Sequence, residues 1–265
     1  SSAASDVYKR QVVNNGGHYQ YMFNALQLNN GNESFSEIAN YANIAATDWS
    51  WSNLIADFDN DGFRDIHITN GLLRDIRNTD GDKSIDQFVK KFISEYIERN
   101  PNLGQINIWD ILPLEKTLDF LPSKKLSNYM YKNSGDFSFK NMTSSWGLDQ
   151  PSFSNGSAYA DLDNDGDLEI VVNNVNDFPF LYKNNTVELG DTNYLRLKVI
   201  YENFKSEIGT KCIVYTPSNK FYAEVSGVRG MYSVSENELH FGLGSNKKVD
   251  SVEIIWPNQK KQMLY

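Results

Sequence analysis

Asp57, Asp59, Asp61 and Asp65 fall within the stretch ADFDNDGFRDIHITNG, Ala56 to Gly71, with Gly62 at the bend. Carboxylates at alternating positions converge only where the backbone wraps around a point, and a glycine relieves the strain of so sharp a turn. Converging negative charges repel one another unless a cation lies among them. The chemistry offered by this spacing is therefore cation coordination. Calcium (Ca2+) fits best, because it accepts about six to eight oxygens in flexible geometry, where magnesium demands a tighter octahedron. The expected ligands are the side chains of Asp57, Asp59, Asp61 and Asp65 and the backbone carbonyl of Phe63. The stretch ADLDNDGDLEIVVNN repeats the arrangement at an offset of 104 residues, 161 less 57. Its expected ligands are Asp161, Asp163, Asp165, the carbonyl of Asp167, and Glu169, which takes the place of Asp65 with a longer side chain. About two calcium sites of unequal affinity are expected. Neither loop is an EF-hand, since Ile68 and Val172 stand where that loop needs its closing glutamate.

No second constellation emerges. His18, His67 and His240 lack metal-ligand spacing, and no nucleophile, base and orienting acid assemble around them. Carboxylate pairs for glycoside hydrolysis could be drawn only from loops whose oxygens the cation already explains. No catalytic residue is assigned, and the chain is read as a non-enzyme. Trp49 and Trp51 share one side of a strand and read as packing rings in preference to a sugar platform. Cys212, the single cysteine, excludes an internal disulfide framework and reads as a buried strand residue. With 25 basic against 34 acidic residues and net charge -9, the chain has no basic stripe for nucleic acid. No apolar run approaches the roughly 18 residues of a membrane span, so no transmembrane segment is expected.

The loops must be positioned by repeating elements. Asn24, Asn29, Gly31, Phe35 and Ser50 precede Asn128, Asn133, Gly135, Phe139 and Ser154 by the same 104 residues. Tyr182, Lys183 and Asn184 repeat Tyr131, Lys132 and Asn133 at 51 residues and read as the start of a third copy; Val12 to Asn15 repeats Val171 to Asn174 and reads as the remnant of a preceding one. A period of about 50 residues is that of propeller blades, and the longer spacing is one unit plus an insertion. NYMYKNSGDFSF reads as a hairpin, and SAYADLDNDGDLEIVVNN as strand, acidic loop and strand. About four strands per unit form an all-β blade that buries its faces only by stacking on neighbours. Within the insertion, Ile85, Phe88, Val89, Phe92, Ile93, Tyr96 and Ile97 form one helical stripe, with Ser84 and Gln87 as a capping box and Asn100 before Pro101 as its end. A helix packed over a blade edge and a lid or docking element both remain open. From about Asn193 the segments YLRLKVI, TKCIVYT, KFYAEVSG, ELHFGLG and VDSVEIIWP read as a small sandwich, with Gly209, Gly227, Gly230, Gly242 and Gly244 at turns or bulges. Ser1 to Gln11 reads as an artefactual leader, and QKKQMLY as a strand cut short.

The acidic loops resemble those of FG-GAP and VCBS repeats, the calcium-binding blades of integrin α-subunit-like β-propellers. ALQLNNGNESFSEIANYANI, TDWSWSNLIADFDNDGFRDIHITNG and LPSKKLSNYMYKNSGDFSFKN are similar to VCBS-repeat proteins of Bacteroidota. EIGTKCIVYT, GVRGMYS, HFGLG and VDSVEIIWPNQ resemble the ASPIC/UnbV domain that follows such repeats in the cartilage acidic protein 1 family. The resemblance implies an all-β fold: a partial β-propeller over residues 12–186, interrupted by the helical insertion at about 72–125, then a truncated, β-sandwich-like ASPIC/UnbV domain over 187–265. It further implies an extracellular or outer-membrane-surface module for binding or adhesion, with a protein or glycan ligand. The competing expectation is an enzyme acting on polysaccharide from a site in the propeller funnel. Fold alone does not choose between them.

Overall fold

The computed structural model describes residues 10–17, 23–76, 78–102, 104–190, 192–200 and 208–265; His18 lies outside them. The chain opens its β structure with an exposed hairpin, β1 (Gln27–Asn29) and β2 (Phe35–Glu37). A four-stranded sheet follows, built from β3 (Ser50–Ala56), β4 (Asp65–Asn70), β6 (Tyr129–Asn133) and β7 (Phe139–Asn141) in that order, while β5 (Leu126–Ser127) pairs with β8 (Pro151–Ser152) beside it. The next sheet repeats the plan with β9 (Ser154–Ala160), β10 (Glu169–Asn174) and β11 (Phe180–Tyr182). Each acidic loop closes the hairpin at the heart of its sheet, between β3 and β4 or between β9 and β10.

Stacking holds these blades together. All six residues of β4 are buried, because chain packs on both of its faces. On one side Ile66, Ile68 and Tyr131 pack with Ala39, Ala42 and Ile44, which follow the first hairpin. On the other, Leu54, Phe58 and Met130 join Tyr159, Leu168, Ile170 and Val172 of the second sheet. Each of the larger aliphatic and phenylalanine side chains among them, fully buried, contributes about 1.5–3 kcal/mol. Phe58 and Tyr159 meet edge to face at 5.9 Å between ring centres. The propeller-like stacking expected from the repeat is present, but its boundaries fall differently. The segment around Tyr182, Lys183 and Asn184 supplies β11, in which Tyr182 pairs with Ile170 as Tyr131 of β6 pairs with Ile66, so the strand that opens each repeat in sequence joins the preceding sheet. Of Val12 to Asn15, read as the remnant of a preceding copy, Val12, Val13 and Asn14 are helical and Asn15 lies in a turn. The same four residue types form strand in β10 because β9 and β11 flank it there.

The insertion forms α1 (Thr79–Arg99) and a short α2 (Leu114–Leu118). The α1 stripe turns Phe88 onto Phe120 at 5.2 Å between ring centres, so the helix packs against its own insertion. It begins earlier than the Ser84 and Gln87 pair implies. Asn78 caps it, accepting from the Gly81 N–H at 2.8 Å, and Asn100 ends it as expected. Gly81 is buried in the first helical turn, where a Cβ would meet Leu121 and the Phe120 carbonyl at 3.1 Å.

After α3 (Thr186–Leu189), β12 (Asn193–Leu197) pairs with β15 (Leu239–Gly244), and β14 (Lys220–Glu224), β13 (Lys211–Tyr215), β16 (Ser251–Ile255) and β17 (Lys261–Leu264) form a four-stranded sheet in that order. The two sheets sandwich Cys212, Val214, Val225, Phe241 and Leu243. Burial pushes the Cys212 thiol up to about 11, which suits a packing residue and not a nucleophile. The sandwich is docked on the blades. Ser52 Oγ of β3 accepts from Ser157 Oγ of β9 at 3.0 Å and from the Met231 N–H at 3.1 Å, so the segment before β15 seals the seam between the two sheets.

Candidate metal centre

The two acidic loops share one backbone. Asn60 and Asn164 lie in the left-handed region at φ 55° and 61°, and Gly62 and Gly166 at 96° and 99°. Asparagine tolerates that region better than most side chains and glycine adopts it freely, so the local sequence specifies the coil. In the first loop the buried Asp57 accepts from the Asp61 and Gly62 N–H groups at 3.1 and 2.8 Å. Asp161 likewise accepts from Gly166 N–H at 3.1 Å.

Asp65 has a different task from the other aspartates. Its two oxygens accept from the N–H groups of Phe58 at 3.1 Å and Asn133 at 2.9 Å, tying the loop to β6. Glu169 reproduces this with Leu162 at 2.8 Å and Asn184 at 3.3 Å. Among the described residues, the carboxylates that converge within 4.8 Å are Asp57, Asp59 and Asp61 in the first loop. In the second, Asp161, Asp163 and Glu169 converge, as do Asp165, Asp167 and Glu169. Thus Asp65 stands outside its converging group, whereas its counterpart Glu169 belongs to both of its own. Phe63, whose backbone carbonyl is the expected ligand, turns its ring toward Gly135. Asp167, expected to offer its carbonyl, is fully buried, and its carboxylate belongs to one of the converging groups.

The electrostatics are those of negative charge held out of water. Burial raises Asp57 to about 7, with Asp61 and Asp59 adding repulsion. Asp65 is raised to about 8 by burial and then by Asp59, and Asp167 to about 7 by burial against the Val187 N–H it accepts. Two lysines that sequence reasoning passed over partly offset this. Lys132 of β6 meets Asp59 and, at 2.7 Å, Asp61, and Lys183 meets Asp163 at 2.8 Å. Burial opposes the Lys132 ammonium, but its hydrogen bonds to the two aspartates outweigh that and raise it. The signal was present in sequence, for these lysines recur at the 51-residue offset. Still, Asp59 Oδ1, Asp161 Oδ1 and Asp167 Oδ1 are buried with no hydrogen-bond partner. Orphaned, all-oxygen, anionic donors fit a hard divalent cation.

The loops also meet each other and the sandwich. Asn60 donates to the Gly166 carbonyl at 3.1 Å, and its Oδ1 lies 2.6 Å from His240 Nε2. Burial, then the charge of Arg196, lower His240 to about 4, so the ring is neutral and serves as a hydrogen-bonding strut. Arg196 binds Asp161 at 2.6 Å and Glu236 at 3.0 Å. Gly242 lies so close to the first loop that a Cβ would sit 1.9 Å from Asp57 Oδ2. His67, by contrast, is wholly buried between Leu54 and Met130 with neither ring nitrogen partnered, and lies in none of the carboxylate groups. Trp49 and Trp51 are half-buried and meet edge to face at 6.5 Å.

Residues 11–68 and 119–172 match the FG-GAP-like repeat, and residues 202–265 match the ASPIC and UnbV domain. The repeat matches omit the segment that holds α1 and α2. No curated protein matches the chain.

Proposed function

From a chain that joins FG-GAP-like repeats to a C-terminal ASPIC and UnbV domain, we propose an extracellular calcium-binding module whose task is binding or adhesion, toward a protein or glycan ligand. The observation that carries the reading is the pair of in-register loops, each with converging carboxylates and a buried carboxylate oxygen that no hydrogen bond satisfies. Asp57, Asp59 and Asp61 would hold one ion, and Asp161, Asp163, Asp165, Asp167 and Glu169 a second. A bound ion supplies positive charge and does no chemistry here. Asp65 ties its loop to β6 and Glu169 ties its own to the segment just after β11, so a loop stiffened by its ion stiffens the blade. Asn60 and Arg196 carry that rigidity into the sandwich. At a calcium concentration a hundredfold above Kd, each site would add about 2.7 kcal/mol of stability. No catalytic role is assigned.

Calorimetric titration of calcium into the full chain, with magnesium as control and circular dichroism to establish folding, tests the reading. Saturable binding selective for calcium, weakened in Asp57→Ala and Asp161→Ala, is expected. A folded protein that takes up no calcium would refute it.

A further inference from the structure

The docking of the sandwich on the blades leaves a cleft of about 610 Å³ beside the first loop. That volume is in the range of small-molecule sites, about 300–1,000 Å³. Its walls come from β3 and the first loop, from Tyr159 of β9, and from β14 and β15 with the segment between them. Two arginines enter from opposite partners: Arg64 from the loop and Arg229 from the sandwich. Each uses one Nη2 donor on a carbonyl of β14, Arg64 on Tyr222 and Arg229, at 3.0 Å, on Glu224. These carbonyls are two residues apart on the edge strand of the four-stranded sheet. The anchors are therefore about 7 Å apart. A guanidinium has five N–H donors, so most of each fork remains unused.

In a chain of net charge -9, neither arginine has a carboxylate within ion-pair distance among the described residues. The acids that line the same cleft have nearer partners. Glu238 is held by Arg196 at 2.9 Å and Lys198 at 3.3 Å, Glu224 accepts from the Tyr222 hydroxyl at 2.7 Å, and Asp57, whose charge also favours the Arg64 guanidinium, accepts from the backbone of its own loop. The charges of Arg64 and Arg229 oppose each other, and both bear on Tyr159. Two like charges converging on one tyrosine, with aromatic walls from Phe221 and Tyr222, form a receptor for an anion that carries an apolar or ring-shaped body. Planar forks of this kind match a carboxylate in bidentate fashion.

We propose that the cleft between the first loop and β14 binds a small carboxylate-bearing ligand, with Arg64 and Arg229 gripping the carboxylate and Tyr159 against its body. The proposal extends the reading of the chain as a binding module, but does not need an ion in the loops.

The test titrates sodium glucuronate into the folded full chain, with glucose as the neutral control and malonate as a carboxylate without a sugar ring, each in calcium and again in EDTA. Saturable glucuronate binding with none for glucose is expected. Arg64→Gln and Arg229→Gln should each weaken it by about ten- to a hundredfold, the range for one charge-assisted hydrogen bond. Arg64→Lys, which keeps the charge and loses the fork, should fall between wild type and Arg64→Gln. Malonate binding as tight as glucuronate would support the carboxylate site and assign it to simple acids; glucuronate alone would assign it to acidic sugars. Folded wild-type protein that binds neither carboxylate overturns the proposal, as does binding unchanged in the Arg64→Gln, Arg229→Gln double variant. Uronate binding without calcium binding would refute the ion reading alone, and the reverse would refute the cleft alone.

Discussion

His67 puts a titratable ring where protonation is costly. It is fully buried on β4, opposite Leu54 on one neighbouring strand and Met130 on the other, and both ring nitrogens lack partners. Burial lowers its pKa from 6.5 to about 4. The unfolded chain therefore binds the proton first as pH falls. Stability from the neutral ring is complete above pH 6.5, declines as pH drops below it, and stops declining below about 4. With those two values the loss is about 0.1 kcal/mol at pH 7.5 and about 2 kcal/mol at pH 5. His67→Leu abolishes the proton site, and any packing change it brings acts equally at both pH values. Denaturant unfolding of wild type and variant at pH 7.5 and pH 5, in EDTA, gives a difference of differences in which every other titrating group cancels. The stability of the variant relative to wild type should rise by about 2 kcal/mol on going from pH 7.5 to 5. A relative stability that does not change with pH would show that the ring is hydrated or hydrogen-bonded and would refute the argument.

Other consequences concern the loops and the docking. Because burial and neighbouring carboxylates raise Asp57 to about 7 and Asp65 to about 8, the stability these groups give the ion-free fold is fully present below 3.8 and is lost as pH rises through 7 and 8. Calcium must compete with those protons, so calorimetry in two buffers of different ionisation enthalpy should register proton release on binding at pH 6 that has largely vanished by pH 9. Lys132→Met and Lys183→Met remove the ammonium from the aspartates it pairs with; calcium should bind more tightly to each variant, while thermal melts in EDTA fall below wild type. Gly242→Ala would force a Cβ to 1.9 Å from Asp57 Oδ2, whereas Gly104→Ala meets nothing within 4 Å. Limited proteolysis should detect a loosened sandwich in the first variant and none in the second.

Much of the site was legible because it is local. The alternating aspartates, the asparagine and glycine that must turn left-handed, and the recurrence at 104 residues all act within one loop, and the structure builds both loops alike. Strand positions of alternating burial, such as Cys212 and Val214 in β13, were legible for the same reason. Where two local signals competed, tertiary packing decided. The Ser84 and Gln87 pair reads as a capping box, yet the helix starts before it, because the Asn78 side chain caps it at the Gly81 N–H and Gly81 packs closely on Phe120 and Leu121. The helical Val12 to Asn14 and the strand at Val171 to Asn173 share residue types and differ in having neighbours to pair with.

What sequence alone determined is the identity and curl of the acidic loops and the period of the strands that carry them. What only the tertiary structure decided is which charges those loops face: Lys132 on Asp59 across 73 residues, Arg196 on Asp161 across 35, and His240 on Asn60 across 180. Periodicity encodes which face of an element is apolar, but not which distant side chain arrives at a polar rim. That choice follows from how the sandwich seats on the blades, and the seating assembles the cleft from Arg64 on one side and Arg229 on the other.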